Sequence, residues 1–81
     1  MFYPKNYLDK FKGKKVTFQI VDEFPNLYVK FVDVFGDYKV KRDPSPLWSE
    51  ETIKIQIDER FPDVKLQLVG GGEDIDFFMY D

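Results

Sequence analysis

Six short segments of this chain alternate apolar and polar residues with a period of two. In the first of them Val16, Phe18 and Ile20 alternate with Thr17 and Gln19. Successive side chains of a β-strand point to opposite faces, so this period is typical of strands with one buried face. Residues that favour turns separate the segments, at Phe24-Pro25-Asn26, Phe35-Gly36-Asp37 and Gly70-Gly71-Gly72. The pattern predicts an all-β domain.

The residues before the first strand have a helical period instead. Tyr7, Leu8 and Phe11 fall on one helical face, and Gly13 stands where a left-handed C-terminal cap would lie. We predict one short N-terminal helix between Asn6 and Lys12. Two helical turns are not stable in isolation. Residues 1–13 are therefore expected to form a cap over an open end of a sheet or barrel.

The chain also contains an internal repeat. Displacing the sequence by 37 residues superposes Val16–Ile20 on Ile53–Ile57 and Phe24-Pro25 on Phe61-Pro62 without a gap. This predicts two pseudo-repeated three-stranded units, residues 14–42 and 52–81. A connector, residues 43–51, joins them, because two closely spaced prolines do not fit a central strand.

Each three-stranded unit has one apolar face that it cannot bury alone, so the two faces are expected to meet. The simplest architecture is a six-stranded antiparallel meander, closed as a small barrel or packed as a two-sheet sandwich. Residues 1–81 would then form a single β domain. An SH3-like or OB-like small barrel, with the last strand added to five others, is the alternative.

Composition removes much of the usual chemistry of active sites. The 81 residues include no histidine and no cysteine, which are the commonest general base, metal ligand and thiol nucleophile. The glycine run at 70–72 lacks the lysine and hydroxyl residue of a phosphate-binding loop. We predict no catalytic, cofactor-binding or metal-binding residues, and expect that the protein is not an enzyme. The N-terminus has no signal-peptide pattern and no apolar run could span a membrane, so a cytoplasmic location is expected.

Charge is distributed unevenly along the chain. Residues 1–42 carry nine basic and five acidic side chains, whereas residues 43–81 carry three and ten. Such asymmetry is compatible with a charged partner, and equally with surface charge that only keeps the protein dissolved. The acidic excess of the second half lies in its predicted turns, notably at Glu59, Asp63, Glu73 and Asp74. These carboxylates could dock on a basic protein surface.

Aromatic residues supply further candidates for binding. Phe24 and Phe61 lie in equivalent turns, where they could contact a partner or fold back over the core; their symmetry favours the second interpretation. Trp48, beside Leu47 in the connector, is either an interface residue or a core plug. Phe78 and Tyr80 face away from the core on what we expect to be an edge strand. That edge could pair with another chain and form a homodimer.

The leading hypothesis is a non-enzymatic module that binds a basic protein partner through acidic turns and exposed aromatics, as a small regulator or inhibitor. A composition that lacks alanine, cysteine and histidine and is rich in lysine, aspartate, phenylalanine and tyrosine fits AT-rich coding, so a phage or mobile-element origin is one interpretation. The alternative is a nucleic-acid-binding barrel that uses Tyr28, Lys30, Lys39 and Lys41 on one sheet face. A self-assembling structural component is the second alternative.

Overall fold

The computed structural model describes residues 3–45 and 48–80, and these residues form a closed β-barrel with almost no helix. The elements are a 3₁₀ helix, Tyr7–Phe11, and the strands β1 Lys15–Ile20, β2 Leu27–Val32, β3 Tyr38–Arg42, β4 Thr52–Ile57, β5 Val64–Leu68 and β6 Ile75–Tyr80. The all-β prediction is confirmed. The predicted N-terminal helix is shorter than expected and is of the 3₁₀ type.

Strand direction and strand order differ from the predicted meander. The barrel order is β1-β4-β2-β5-β3-β6, and all six neighbouring pairs are parallel. The antiparallel arrangement is therefore wrong, and so are the two-sheet sandwich and the five-stranded alternative. The physical reason is that a period of two reports which face of a strand is buried and says nothing about the direction of its neighbour.

The two halves of the sequence interleave instead of stacking. Each strand of the second half begins 37 residues after its counterpart, as in β1 from Lys15 and β4 from Thr52. Strands from the two halves alternate around the whole ring, including the closure between β6 and β1. The apolar faces of the two halves therefore meet strand by strand within one barrel.

Short turns can join these parallel strands because of the register. Ile55 of β4 lies opposite both Ile20, the last residue of β1, and Leu27, the first residue of β2. The chain thus has to cross only β4 to pass from β1 to β2. The distance between these two strands is two strand spacings, or about 10 Å. Turn 21–26 makes this crossing, with Val21 N donating to Ile55 O at 2.9 Å and Asn26 N to Lys54 O at 2.7 Å. Crossovers between parallel strands ordinarily need about a dozen residues.

The interior is built in three layers, each with one residue from every strand. The first layer is Val16, Leu27, Tyr38, Ile53, Val64 and Ile75; the second is Phe18, Val29, Val40, Ile55, Leu66 and Phe77. All twelve are buried, and with Leu8 and Phe11 they make up the core of the described residues. Within each half, successive members of a layer are eleven residues apart, a shorter period than the 37-residue repeat.

The N-terminal segment lies across the first-layer end of the barrel. Leu8 and Phe11 are buried there, and the Tyr38 hydroxyl donates a hydrogen bond to Asp9 Oδ1. The Tyr7 hydroxyl donates to Glu51 Oε2 at 2.6 Å, just before β4 begins. The bond to Glu51 is the main reason that the pKa of Tyr7 is raised, whereas burial is the main cause of the raised pKa of Tyr38.

A repeated polar contact fastens each turn to the strand that it crosses. The last residue of the turn donates its N–H to the C=O of one strand residue, and its side-chain oxygen accepts from the N–H of the same residue. We call this pair of bonds an Asx clamp. The four clamps are Asn26 on Lys54 (2.7 and 2.9 Å), Asp37 on Lys65 (2.7 and 2.8 Å), Asp63 on Tyr28 (2.8 and 3.1 Å) and Asp74 on Lys39 (2.7 and 3.0 Å).

No helix in the described parts of the chain has both the length and the apolar character needed to cross a membrane.

The crossing of β5 gives a first prediction. A Cβ added at Gly36 would lie 2.6 Å from Cβ and backbone N of Gln67, whereas one added at Gly70 meets nothing within 4 Å. Because backbone cannot yield as a flexible side chain does, we expect Gly36→Ala to destabilise the fold by about 1–3 kcal/mol. Gly70→Ala is the matched control and should leave the urea midpoint almost unchanged. Equal midpoints for the two variants would show that turn 33–37 does not lie against β5.

Candidate functional site

Four turns cross four neighbouring strands and form what we call the turn belt. Turn 21–26 crosses β4, turn 58–63 crosses β2, turn 33–37 crosses β5 and turn 69–74 crosses β3. Because those strands are consecutive in the barrel, the turns follow one another around its outside in that order. A cleft of about 490 Å³ is lined by residues of both the second and the third of these turns, in agreement with their lying side by side.

Three turns of the belt carry a phenylalanine at the same position. Phe24, Phe61 and Phe35 are 81%, 80% and 91% exposed. The interpretation that Phe24 and Phe61 cap the core is therefore wrong. The turns cross on the outside of the barrel, which places these rings at its surface. Phe35 did not figure among the sequence candidates, although its eleven-residue distance from Phe24 could have identified it.

The backbone at two of these tips adopts a conformation that favours glycine. Phe24 has φ 55° and Phe35 has φ 58°, and the equivalent position of the fourth turn is Gly72, with φ 70°. A left-handed backbone costs an ordinary L-residue about 1–2 kcal/mol, and for a bulky side chain it is unusual. Neither ring recovers that cost by burial, since both are exposed. Residues held at a cost to folding are concentrated at functional sites.

Exposed carboxylates accompany the aromatic tips. Asp22 and Glu23 precede Phe24, Asp33 lies two residues before Phe35, and Glu59 lies two residues before Phe61. Each tip therefore presents an apolar ring beside at least one solvated negative charge. The belt as a whole carries nine of the fifteen acidic residues and only one of the twelve basic ones.

Phe61 reaches the same position without a left-handed backbone. Asp58 Oδ1 accepts hydrogen bonds from the backbone N–H of Arg60 and of Phe61, both at 3.0 Å. These two bonds stabilise the carboxylate and hold the pKa of Asp58 below its ordinary value. The side chain of Asp58 thus fixes the backbone that carries the ring.

The structure divides the four predicted acidic residues into two groups. Glu59 is exposed at its tip. Asp63 and Asp74 are half-buried and use their carboxylates in Asx clamps, while Glu73 accepts a hydrogen bond from Asp76. Three of the four therefore have internal structural roles, and the freely presented carboxylates are those beside the phenylalanines.

The remaining aromatic candidates lie outside the turn belt. Trp48 is 64% exposed, so it is not a core plug. Phe78 is half-buried and Tyr80 is 54% exposed, both on the outer face of β6. The expectation that β6 is an edge strand is wrong, because β6 pairs with β1 on one side and β3 on the other. Closure of the barrel leaves β6 no free edge for pairing with a second chain.

The basic residues of the nucleic-acid hypothesis lie on two strands that are not neighbours. Tyr28 and Lys30 are half-buried on β2, where turn 58–63 crosses, and Lys39 and Lys41 are exposed on β3. β5 separates the two strands, and its Lys65 lies directly opposite Lys30. Acidic turns thus cross the basic strands, which reduces the net field that a nucleic acid would meet.

Two carboxyl groups at the end of the belt, those of Glu73 and Asp76, shift each other's pKa. Asp76 Oδ1 is buried without a hydrogen-bond partner among the described groups, and burial is the main reason that the pKa of Asp76 is raised. The pKa of Glu73 is lowered, chiefly by a bond from its own backbone N–H and then by the hydrogen bond from Asp76. No group of three or more potential metal ligands occurs within residues 3–45 and 48–80.

This pair gives a pH-dependent prediction. Folded Asp76 binds its proton more tightly than the unfolded chain does, so its ionisation costs stability once the pH rises above the ordinary pKa of 3.8. Asp76→Asn keeps a donor for Glu73 and carries no charge. We expect the variant to melt a few degrees above the wild type at pH 7, and the difference to disappear near pH 3. A gain that stays constant across that range would contradict a raised pKa of Asp76.

The strained tips give a prediction about stability. Asparagine tolerates a left-handed backbone better than phenylalanine does. Phe35→Asn should therefore stabilise the fold by about 0.5–1 kcal/mol, although it removes a large apolar residue. Phe61→Asn, at an equally exposed tip whose φ is not positive, is the control and should leave the urea midpoint within error. Destabilisation by Phe35→Asn would mean that the ring has a structural role.

Comparison with known proteins adds little to the assignment of function. No family model matches this chain. It is similar to an uncharacterized protein of Ureaplasma parvum serovar 3, with 52% identity over 53 residues. The aligned segment is 65% of this chain and spans about 60% of the length of that protein.

Proposed function

We propose that this protein is a non-enzymatic binding module whose turn belt docks on a basic surface of a partner protein. The single observation that carries the proposal is the triplet of exposed rings at Phe24, Phe61 and Phe35, two of them on a left-handed backbone. Aromatic side chains are enriched where interfaces gain most of their binding energy. A small regulator or inhibitor is the role that fits such a module.

The chemistry of the tips supports a basic partner. Each ring lies beside solvated carboxylates, and the belt holds most of the acidic groups of the chain. Complementary charge increases the association rate and selects among partners. The rings, once buried against the partner, would provide most of the affinity. Trp48 lies outside the belt but is exposed, and it could extend the contact.

The scaffold suits this role because it holds the tips rigidly. Each turn is attached to the strand beneath it by an Asx clamp, and the strands are closed into a ring. Little conformational entropy is then lost when a partner binds, which favours affinity. The tip rings are 80% exposed or more, so their chemistry can differ with little change to the core.

The test compares two matched variants as bait. The triple variant Phe24→Asn, Phe35→Asn and Phe61→Asn removes the rings without loss of stability, and Tyr80→Asn removes an exposed ring outside the belt. We expect wild type and Tyr80→Asn to retain the same basic protein from a lysate of the source cells, and the triple variant to lose it. Retention should weaken as salt rises. Identical capture by all three baits would contradict the proposal.

A binding assay with an oligonucleotide tests the alternative hypothesis, that the protein binds nucleic acid. Fluorescence anisotropy with a labelled single-stranded oligonucleotide at low salt should show no binding. Binding that falls steeply with salt, and that Lys39→Gln and Lys41→Gln weaken, would favour the nucleic-acid hypothesis instead.

A further inference from the structure

No described segment covers the end of the barrel opposite the N-terminal segment. Its third layer consists of the last inward-facing residue of each strand: Ile20, Phe31, Arg42, Ile57, Leu68 and Met79. Ile20, Ile57 and Leu68 are 38%, 39% and 45% exposed, in contrast to the buried residues of the two layers below. We call this open third layer the barrel mouth. It is separate from the turn belt, which crosses the outside of the strands.

A cavity of about 240 Å³ lies on one side of the barrel mouth. Phe31, Leu68 and Met79 form its walls together with Arg42, and Phe77 of the second layer, only 2% exposed, forms its floor. Apart from Arg42 the lining is apolar. Water gains few hydrogen bonds in such a site, so an apolar group that displaces it binds favourably.

Arg42 is the one charged residue at the inward-facing positions of the described strands. The position 37 residues later holds Met79, so an apolar side chain fits the same layer. Among the described acidic groups none forms an ion pair with Arg42: Asp43 pairs with Lys15, Nζ to Oδ2 3.3 Å, and Asp76 bonds to Glu73. A guanidinium beside an apolar cavity can bind a carboxylate that carries an apolar group.

The size of the cavity limits that group. A cavity of about 150 Å³ accommodates benzene. About 240 Å³ therefore holds one ring and a short chain, and it excludes a long acyl chain. We propose that the barrel mouth binds a small aryl or short-chain acyl carboxylate, with the apolar group above Phe77 and the carboxylate on the Arg42 guanidinium.

The test uses 3-phenylpropanoate and its uncharged analogue 3-phenylpropanol with the full chain. Methyl resonances of Ile20, Ile57, Leu68 and Met79 are followed by NMR during each titration. We expect saturable changes confined to these methyls, with the carboxylate binding at least about threefold more tightly than the alcohol. Absence of saturable changes at the mouth, or changes located at the turn belt, would overturn the proposal.

Two arginine variants test the charge. Arg42→Gln should remove the advantage of the carboxylate and leave the alcohol unaffected. Arg60→Gln makes the same change of charge on an exposed turn and should alter neither titration. Equal effects of the two variants would mean that only the net charge of the protein matters. That result would overturn the assignment of the carboxylate to Arg42. Far-UV circular dichroism verifies that both variants are folded.

A third probe tests whether the carboxylate belongs to a small molecule or to the C-terminus of a protein. N-acetylphenylalanine has the ring and carboxylate of 3-phenylpropanoate together with the amide of a peptide C-terminus. We expect it to bind no more tightly, because the amide adds bulk to a cavity of this size. Clearly tighter binding would overturn the small-ligand assignment in favour of a protein C-terminus. Neither result depends on the turn belt, so this test and the capture experiment can fail independently.

Discussion

The register between neighbouring strands is the constraint on which the rest of this structure depends. At every pairing a second-layer residue lies opposite a first-layer residue of the next strand, as with Phe18 and Ile53 or Phe77 and Val16. This constant advance of two residues tilts the strands strongly and places the end of one strand level with the start of the next. Six parallel strands can therefore close into a barrel in which four of the five connections have only five or six residues, and the connector between β3 and β4 has nine.

The same register explains what the sequence could and could not predict. Alternation located the six strands and most of their inward residues, because burial of one face is a property of each strand alone. Strand direction depends on the neighbour, and no residue in a strand such as Ile53–Ile57 reports it. The decisive signal was the eleven-residue spacing of Val16, Leu27 and Tyr38. A period of one strand plus one turn indicates a chain that winds in one direction.

The turns were interpreted incorrectly for a related reason. In a meander the tip of a hairpin lies at the end of the sheet, where a ring at Phe24 could fold over the core. In this barrel the turn crosses the outside of a strand, so the same ring is exposed. The charge asymmetry between the halves does not arise in the belt, because the belt turns of the first half and those of the second half carry the same net charge. Acidic turns of the second half cross β2 and β3, which carry Lys30 and Lys39.

The two ends of the barrel follow from its small size. A chain of this length buries only about 60% of the surface that it exposes when unfolded, so each closing element matters. Leu8 and Phe11 close one end, whereas the third layer at the other end is covered by no described segment. Five apolar residues there lose part of the benefit of burial, and Arg42 adds a charge that packing does not require. Stability alone would favour an apolar residue at position 42 and glycine at position 35. The equivalent positions of the second half hold such residues, Met79 and Gly72. If the turn belt and the barrel mouth bind as proposed, the departures from the repeat, more than the repeat itself, are the positions at which this barrel contacts other molecules.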